Sequence, residues 1–202
     1  MSTLRRLILV RHGETDGDSG RRYHGSADVD LSPEGVEQMK RVRHTLREPG
    51  FELVVASPLR RAWKSAWLIG EGSPVRLEDG FREIHFGRWE GLSAAEIEAS
   101  DPILFRDWRD GAPSFEYPGG EPRAHFRERV RSGLANLFGA PANSALVVAH
   151  KGVHRSIVEF LTETTLDREL PILGGVIELT RDGDRWFLGR HSSNPPGVGA
   201  AP

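Results

Sequence analysis

Two histidines and a group of cationic side chains follow three short apolar runs in this chain. Arg11-His12-Gly13-Glu14-Thr15 comes directly after Leu7-Ile8-Leu9-Val10. Ser57-Pro58-Leu59-Arg60-Arg61 follows Leu53-Val54-Val55-Ala56, and His150-Lys151-Gly152 follows Leu146-Val147-Val148-Ala149. Imidazole can serve as nucleophile, proton carrier or metal ligand. Guanidinium groups recognise phosphate and carboxylate through paired hydrogen bonds. A metal site would need three protein ligands, and Glu14, Asp16 and Asp18 lie near His12 in the chain. Arg11, Arg61 and Lys151 would repel a divalent cation, so an anion suits this group of residues better and the site-residue expectation includes no metal. Arginines opening a helix also oppose its positive N-terminal dipole, a cost that a bound phosphate would relieve.

Something must bring these segments together. Each apolar run reads as a strand buried on both faces. Ser32-Pro33-Glu34 has the form of a helix start, and Val36, Met39, Val42 and Leu46 mark one helical face that ends at Glu48-Pro49-Gly50. Ser57-Pro58 reads as the start of a second helix, with Leu59, Ala62, Ala66 and Ile69 as its stripe. Further helices are expected over 122–137 and from His150 through Leu161. Residues 175–188 read as a hairpin turning at Asp182-Gly183-Asp184. Strands alternating with helices predict an α/β fold, a three-layer α/β/α sandwich around a mostly parallel mixed sheet. Ligands of such sheets bind beyond the carboxyl ends of the strands. Both histidines and the cations lie there, so they are expected to converge. A single domain over 1–194 and a disordered tail over 195–202 complete the expected organisation.

Composition removes other classes. Across 202 residues, 27 basic side chains meet 29 acidic ones for a formal charge of −2, so broad nucleic-acid binding is not expected. The absence of cysteine excludes disulfides, thiolate nucleophiles and Cys-ligated metal. No apolar run reaches the ~20 residues of a membrane span. The N-terminus has no cleavable leader pattern, which gives a cytoplasmic expectation. Only 3 Lys stand beside 24 Arg, a bias that reads mainly as composition. Position must therefore decide which arginines do chemistry.

Leu9-Val10-Arg11-His12-Gly13-Glu14-Thr15 resembles the signature of the histidine phosphatase superfamily, which includes the phosphoglycerate mutases. The resemblance continues in family order through Arg22 to Gly25, Asp28 to Ser32, Ser57-Pro58-Leu59-Arg60-Arg61-Ala62, Phe81-Arg82-Glu83 with Phe86 to Gly91, Tyr117 to Glu121, and Val147 to His150. It covers about residues 7 to 155 and implies a phosphoglycerate mutase-like fold. It implies His12 as the nucleophile that forms a phosphohistidine, with Arg11, Arg61 and His150 cradling the phosphoryl oxygens. Glu83 is the implied general acid and base, with Glu78, Asp79 and Glu90 as nearby rivals. Arg22, Asp18, Thr15 and Lys151 are the expected substrate-binding set. Three arginines, Arg11, Arg22 and Arg61, are expected to face a phosphate, and Arg60 is not. No cofactor or metal is expected.

Three positions depart from the family pattern. Asp18 stands where many members have Asn, and is expected to point away from the phosphate or pair with Arg22. Lys151 stands where many have Gly, either adding a charge toward substrate or facing solvent. His154 takes a usually apolar place, and helix-face packing is expected for it. Residues 93–118 are short and net acidic, with Phe105, Trp108 and Phe115 suggesting a partly apolar lid. That favours a phosphatase acting on a small phosphorylated metabolite over a 2,3-bisphosphoglycerate-dependent phosphoglycerate mutase, whose branch tends to a longer basic insertion. A non-catalytic phospho-ligand binder would not need both His12 and Glu83. The expected partner is the small substrate alone, with no nucleic acid or membrane, in a monomer or homodimer.

Overall fold

The computed structural model describes residues 3–46 and 51–191. Six strands form one sheet in the order β3-β2-β4-β1-β5-β6. They are β1 (Arg6–Arg11), β2 (Leu53–Ala56), β3 (Val75–Leu77), β4 (Ser144–Ala149), β5 (Val176–Asp182) and β6 (Arg185–His191). The pairings β1–β4, β2–β4 and β2–β3 are parallel, while β5 runs antiparallel to both β1 and β6. This is the expected α/β fold with a mixed sheet, and its hairpin is the one read from the sequence.

The central strands are apolar on both faces because both are covered. On one side Leu7, Leu9, Val147 and Ala149 pack against α5 (Arg123–Phe138) and α6 (Lys151–Thr162). On the other, Ile8, Val10, Leu146 and Val148 pack against α1 (Pro33–Thr45) and α2 (Arg60–Ile69). Strand side chains alternate between faces, so neighbouring residues feed separate cores. A third cluster forms where residues 93–118 fold into α3 (Ala94–Ser100) and α4 (Pro102–Arg109). There Trp89, Ile97, Phe105 and Phe115 are buried together. Among the described residues no helix is long and apolar enough to cross a membrane.

Several boundaries differ from the sequence reading. Ser32 does cap α1, its hydroxyl accepting from the Gly35 amide. Ser57 does not cap α2, which starts at Arg60 after Leu59 with no side-chain cap. The three-residue β3 and the short helices α3 and α4 lacked enough periodicity to be read in advance. The expected stop at Glu48-Pro49-Gly50 and the tail over 195–202 lie outside the described residues.

Candidate active site

Sheet register brings the two histidines together. β1 and β4 are parallel with Arg11 opposite Ala149, so His12 and His150 leave adjacent strand ends. The His12 amide donates to the Ala149 carbonyl at 3.1 Å, and the two rings lie edge to face with centroids 5.2 Å apart. β2 adds Ser57 to the same edge, its amide donating to Val148.

Both flanking helices hold the loop that carries His12. Ser65 of α2 accepts from the Gly13 amide at 3.3 Å, and Gln38 of α1 accepts from the Glu14 amide at 3.0 Å. The backbone must come very close to α1 here. A Cβ on Gly13 would sit 2.6 Å from the Gly35 carbonyl oxygen, which leaves no room for a side chain.

His12 is 3% exposed, and its protonation pattern follows from its two partners. Nδ1 lies 2.7 Å from the Gly13 carbonyl, which can only accept, so Nδ1 carries the hydrogen. Arg61 Nε donates to His12 Nε2 at 3.2 Å, so Nε2 presents a lone pair. Burial, then the charges of Arg61 and Arg11, hold the imidazole pKa well below its usual value and keep the ring neutral. His150 is held low by burial and then by Arg61. Its Nε2 is 2.8 Å from the Ser57 hydroxyl, while its buried Nδ1 has no hydrogen-bond partner among the described residues.

Arg61 is fully buried on the first turn of α2. Its guanidinium also donates to the carbonyls of Ala27 (2.6 Å), His24 (3.0 Å) and Gly25 (2.7 Å). Burial lowers its pKa to about 10, which leaves it charged at neutral pH. Arg11 donates to the Pro171 carbonyl at 3.1 Å, and its buried Nε has no partner among the described residues. Burial lowers Arg11 to about 10 as well.

Glu83 follows a short helical turn at Asp79–Phe81 and is 7% exposed. Its carboxylate accepts from the amides of Ile84 and Gly152, each at 3.0 Å, so α6 holds one oxygen. Arg129 of α5 fixes the backbone of this turn. It donates to the carbonyls of Gly80, Arg82 and Glu83 and pairs with Glu121 at 2.7 Å. Of the rival acids, Glu78 and Asp79 belong to the turn itself, while Glu90 accepts from the amides of Gly25, Ser26 and Phe86.

Arg11, His12 and Glu83 line a cavity of about 870 Å³, with Arg61 and His150 buried outside its lining. Tyr23, Phe86, Trp108, Phe115 and Tyr117 give it an aromatic wall, and Lys151 is also in the lining. Other expected binding residues lie elsewhere. Asp18 is exposed, adopts φ 57° in a turn and is absent from the lining, so it turns away rather than pairing with Arg22. Thr15 is buried outside the lining, its hydroxyl 2.7 Å from that of Ser19. Arg22 reaches the cavity, but its guanidinium is committed to Glu96 at 2.9 Å and the Gly91 carbonyl at 2.7 Å. Among the described residues Asp18 makes no ion pair with an arginine, and Arg22 joins the loop to α3 instead. Arg60 sits at the surface beside Asp28. His154 packs as expected: it is fully buried, and its Nε2 donates to the Val10 carbonyl at 3.0 Å.

Ser57, Gln38, Ser65 and Arg129 were not singled out from the sequence. Each acts by reaching across the fold, and only Ser57 carried a local signal, which pointed to helix capping. Among the described residues no three His, Asp or Glu side chains gather as a metal-binding group.

A family model described as histidine phosphatase superfamily (branch 1) matches residues 7–194. Glucosyl-3-phosphoglycerate phosphatase of Mycobacterium tuberculosis is 34% identical over 183 residues, covering 85% of this chain and 81% of that protein. Phosphoserine phosphatase 1 of Hydrogenobacter thermophilus is 33% identical over 145 residues, covering 71% and 69% respectively. The solved structure of alpha-ribazole phosphatase from Shigella flexneri matches with a TM-score of 0.79 at 26% identity, covering 96% of this chain and 100% of that one.

Proposed function

The chain belongs to the histidine phosphatase superfamily, and from that premise we propose that it hydrolyses a small phosphorylated metabolite through a phosphohistidine on His12. One observation carries this reading: a buried, neutral imidazole whose Nδ1–H is tied to Gly13 and whose Nε2 lone pair meets Arg61, with the charge of Arg11 also acting on the ring. In the first step the Arg61 Nε–H hydrogen bond passes from His12 Nε2 to a phosphoryl oxygen, and the freed Nε2 attacks phosphorus while the bond to the leaving oxygen breaks and Glu83 supplies that oxygen with a proton. In the second, Glu83 takes a proton from water as the water oxygen attacks phosphorus and the P–N bond breaks. Arg11, Arg61 and His150 stabilise charge on the equatorial oxygens, where fixed donors act most strongly. The buried Arg11 Nε and His150 Nδ1 would find acceptors in a phosphoryl group.

Hydrolysis is favoured over mutase chemistry. The relatives above carry phosphatase names, and the 93–118 segment is a compact, acidic, aromatic-cored cap. The surrounding cations favour an anionic ligand over a catalytic metal. Turnover of para-nitrophenyl phosphate with and without EDTA tests the reading. Activity that survives EDTA and is abolished in His12→Ala is expected. Loss on adding EDTA would overturn metal independence. Efficient conversion of 3- to 2-phosphoglycerate with a bisphosphoglycerate primer would overturn the preference for hydrolysis.

A further inference from the structure

Three cations in the cavity take no part in the two steps above. Lys151 and Arg155 stand four residues apart at the start of α6, on one helical face, and Arg168 comes from the loop between α6 and β5. Like charges at that spacing destabilise a helix, and cations in its first turns oppose its dipole. Nearby carboxylates offset this only in part, Glu169 and Glu83 acting on Lys151 and Glu159, Asp167 and Glu169 on Arg155. Among the described residues the ion pair of Lys151 is with Glu169, 3.8 Å away with its side chain 88% exposed. Arg155 donates to the Asp167 carbonyl, and Arg168 donates to the carbonyls of Trp108 and Arg109. Among the described residues neither guanidinium makes an ion pair within 4 Å, and Glu159 of α6, which acts on Arg155 from a distance, is hydrogen-bonded to Arg127 at 2.8 Å. Burial, then the charge of Arg11, pushes Lys151 down to about 8; burial and then Arg168 lower Arg155.

This cationic edge joins the aromatic wall, since the Arg168 guanidinium lies 4.3 Å from the centre of the Trp108 ring. Three cations beside an aromatic wall, with Glu169 as the carboxylate among them in the lining, leave an excess of positive charge for a second negative group on the substrate. We propose that Lys151, Arg155 and Arg168 form a second anion subsite, which takes a carboxylate or second phosphate carried by the leaving group. The proposal rests on the phosphatase reading.

Two substrate pairs test it, each differing in one anionic group. One is 3-phosphoglycerate against glycerol 3-phosphate, and the other is fructose 1,6-bisphosphate against fructose 6-phosphate. The readout is the ratio of kcat/KM within a pair, which a general loss of activity leaves unchanged. Wild type should prefer the anionic member of at least one pair by roughly tenfold or more, the effect of one charge-assisted contact. The pair that shows it identifies carboxylate or phosphate as the group bound. In the Arg155→Gln/Arg168→Gln double variant the ratio should collapse toward one, while Arg155→Lys should keep part of it. Ratios near one in wild type, or a preference untouched in the double variant, would overturn the subsite. Para-nitrophenyl phosphate turnover that survives His12→Ala would instead sink the phosphohistidine reading, whatever the ratios.

Discussion

Gly152→Ala is expected to separate stability from catalysis. Gly152 lies in the first turn of α6, and its amide holds one Glu83 oxygen at 3.0 Å. A Cβ there would sit 2.5 Å from the other Glu83 oxygen and 3.3 Å from the Phe126 ring. The carboxylate ends a flexible side chain, so it yields by about an ångström while the helix stays in place. Ala also favours helix over Gly by up to about 1 kcal/mol, so the melting temperature should hold or rise slightly. A displacement of this size at a catalytic group can cost about 10²-fold in rate, and general acid catalysis as a whole is worth roughly 10²–10⁴. The fall should be steep for an alkyl phosphate, whose leaving oxygen needs a proton, and shallow for para-nitrophenyl phosphate, whose leaving group departs as a stable anion. Steady-state kcat/KM on both esters, with thermal melts, is the assay. In a Glu83→Gln background, adding Gly152→Ala should cost little more, because both act through one carboxylate. Equal losses on the two esters, or additive losses in the double variant, would refute the placement of Glu83 as proton donor.

Other perturbations follow from the same geometry. His154 is fully buried and burial lowers its pKa to about 4, so between pH 6.5 and 4 the unfolded chain binds a proton that the native state refuses. Stability therefore falls with falling pH across that window, by about 2 kcal/mol at pH 5 from this residue alone. Urea denaturation at pH 7 and pH 5 should show a smaller difference in His154→Gln than in wild type. Arg61→Lys should lose roughly 10²–10³-fold in kcat and also melt earlier, since an ammonium cannot serve the carbonyls of Ala27, His24 and Gly25 together with His12. Near-wild-type kinetics in Arg61→Lys would show that a point charge suffices there. Ser57→Ala removes the partner of His150 Nε2 and should lower kcat by roughly tenfold at a stability cost of about 1 kcal/mol. An unchanged kcat would mean that Ser57 does not orient the imidazole.

The sequence by itself determined five of the six strands, the main helices and the identity of the residues with chemical capability. Strands buried on both faces must be apolar throughout, so Leu7 to Val10, Leu53 to Ala56 and Leu146 to Ala149 stand out, and whatever follows them sits at the edge where ligands bind. His12, His150, Arg11 and Arg61 were legible for that reason, and Glu83 through the motif around it. What the sequence could not decide is where a side chain turns after it leaves the backbone. Arg22 and Arg61 are the same residue type in family-like segments, yet one is fixed on Glu96 and the other lies buried beneath His12. Thr15 and Asp18 adjoin the nucleophile in the chain but shape the loop outside the cavity. Ser57 looks like a helix cap and instead supports His150, because the register of β2 on β4 brings it there. Arg155 and Arg168 carry no motif at all and reach the cavity only when α6 and the loop after it are in place. Backbone periodicity is a local property written along the chain. The choice among carbonyl, carboxylate and cavity for each cation depends on partners distant in sequence, so only the tertiary structure decides it.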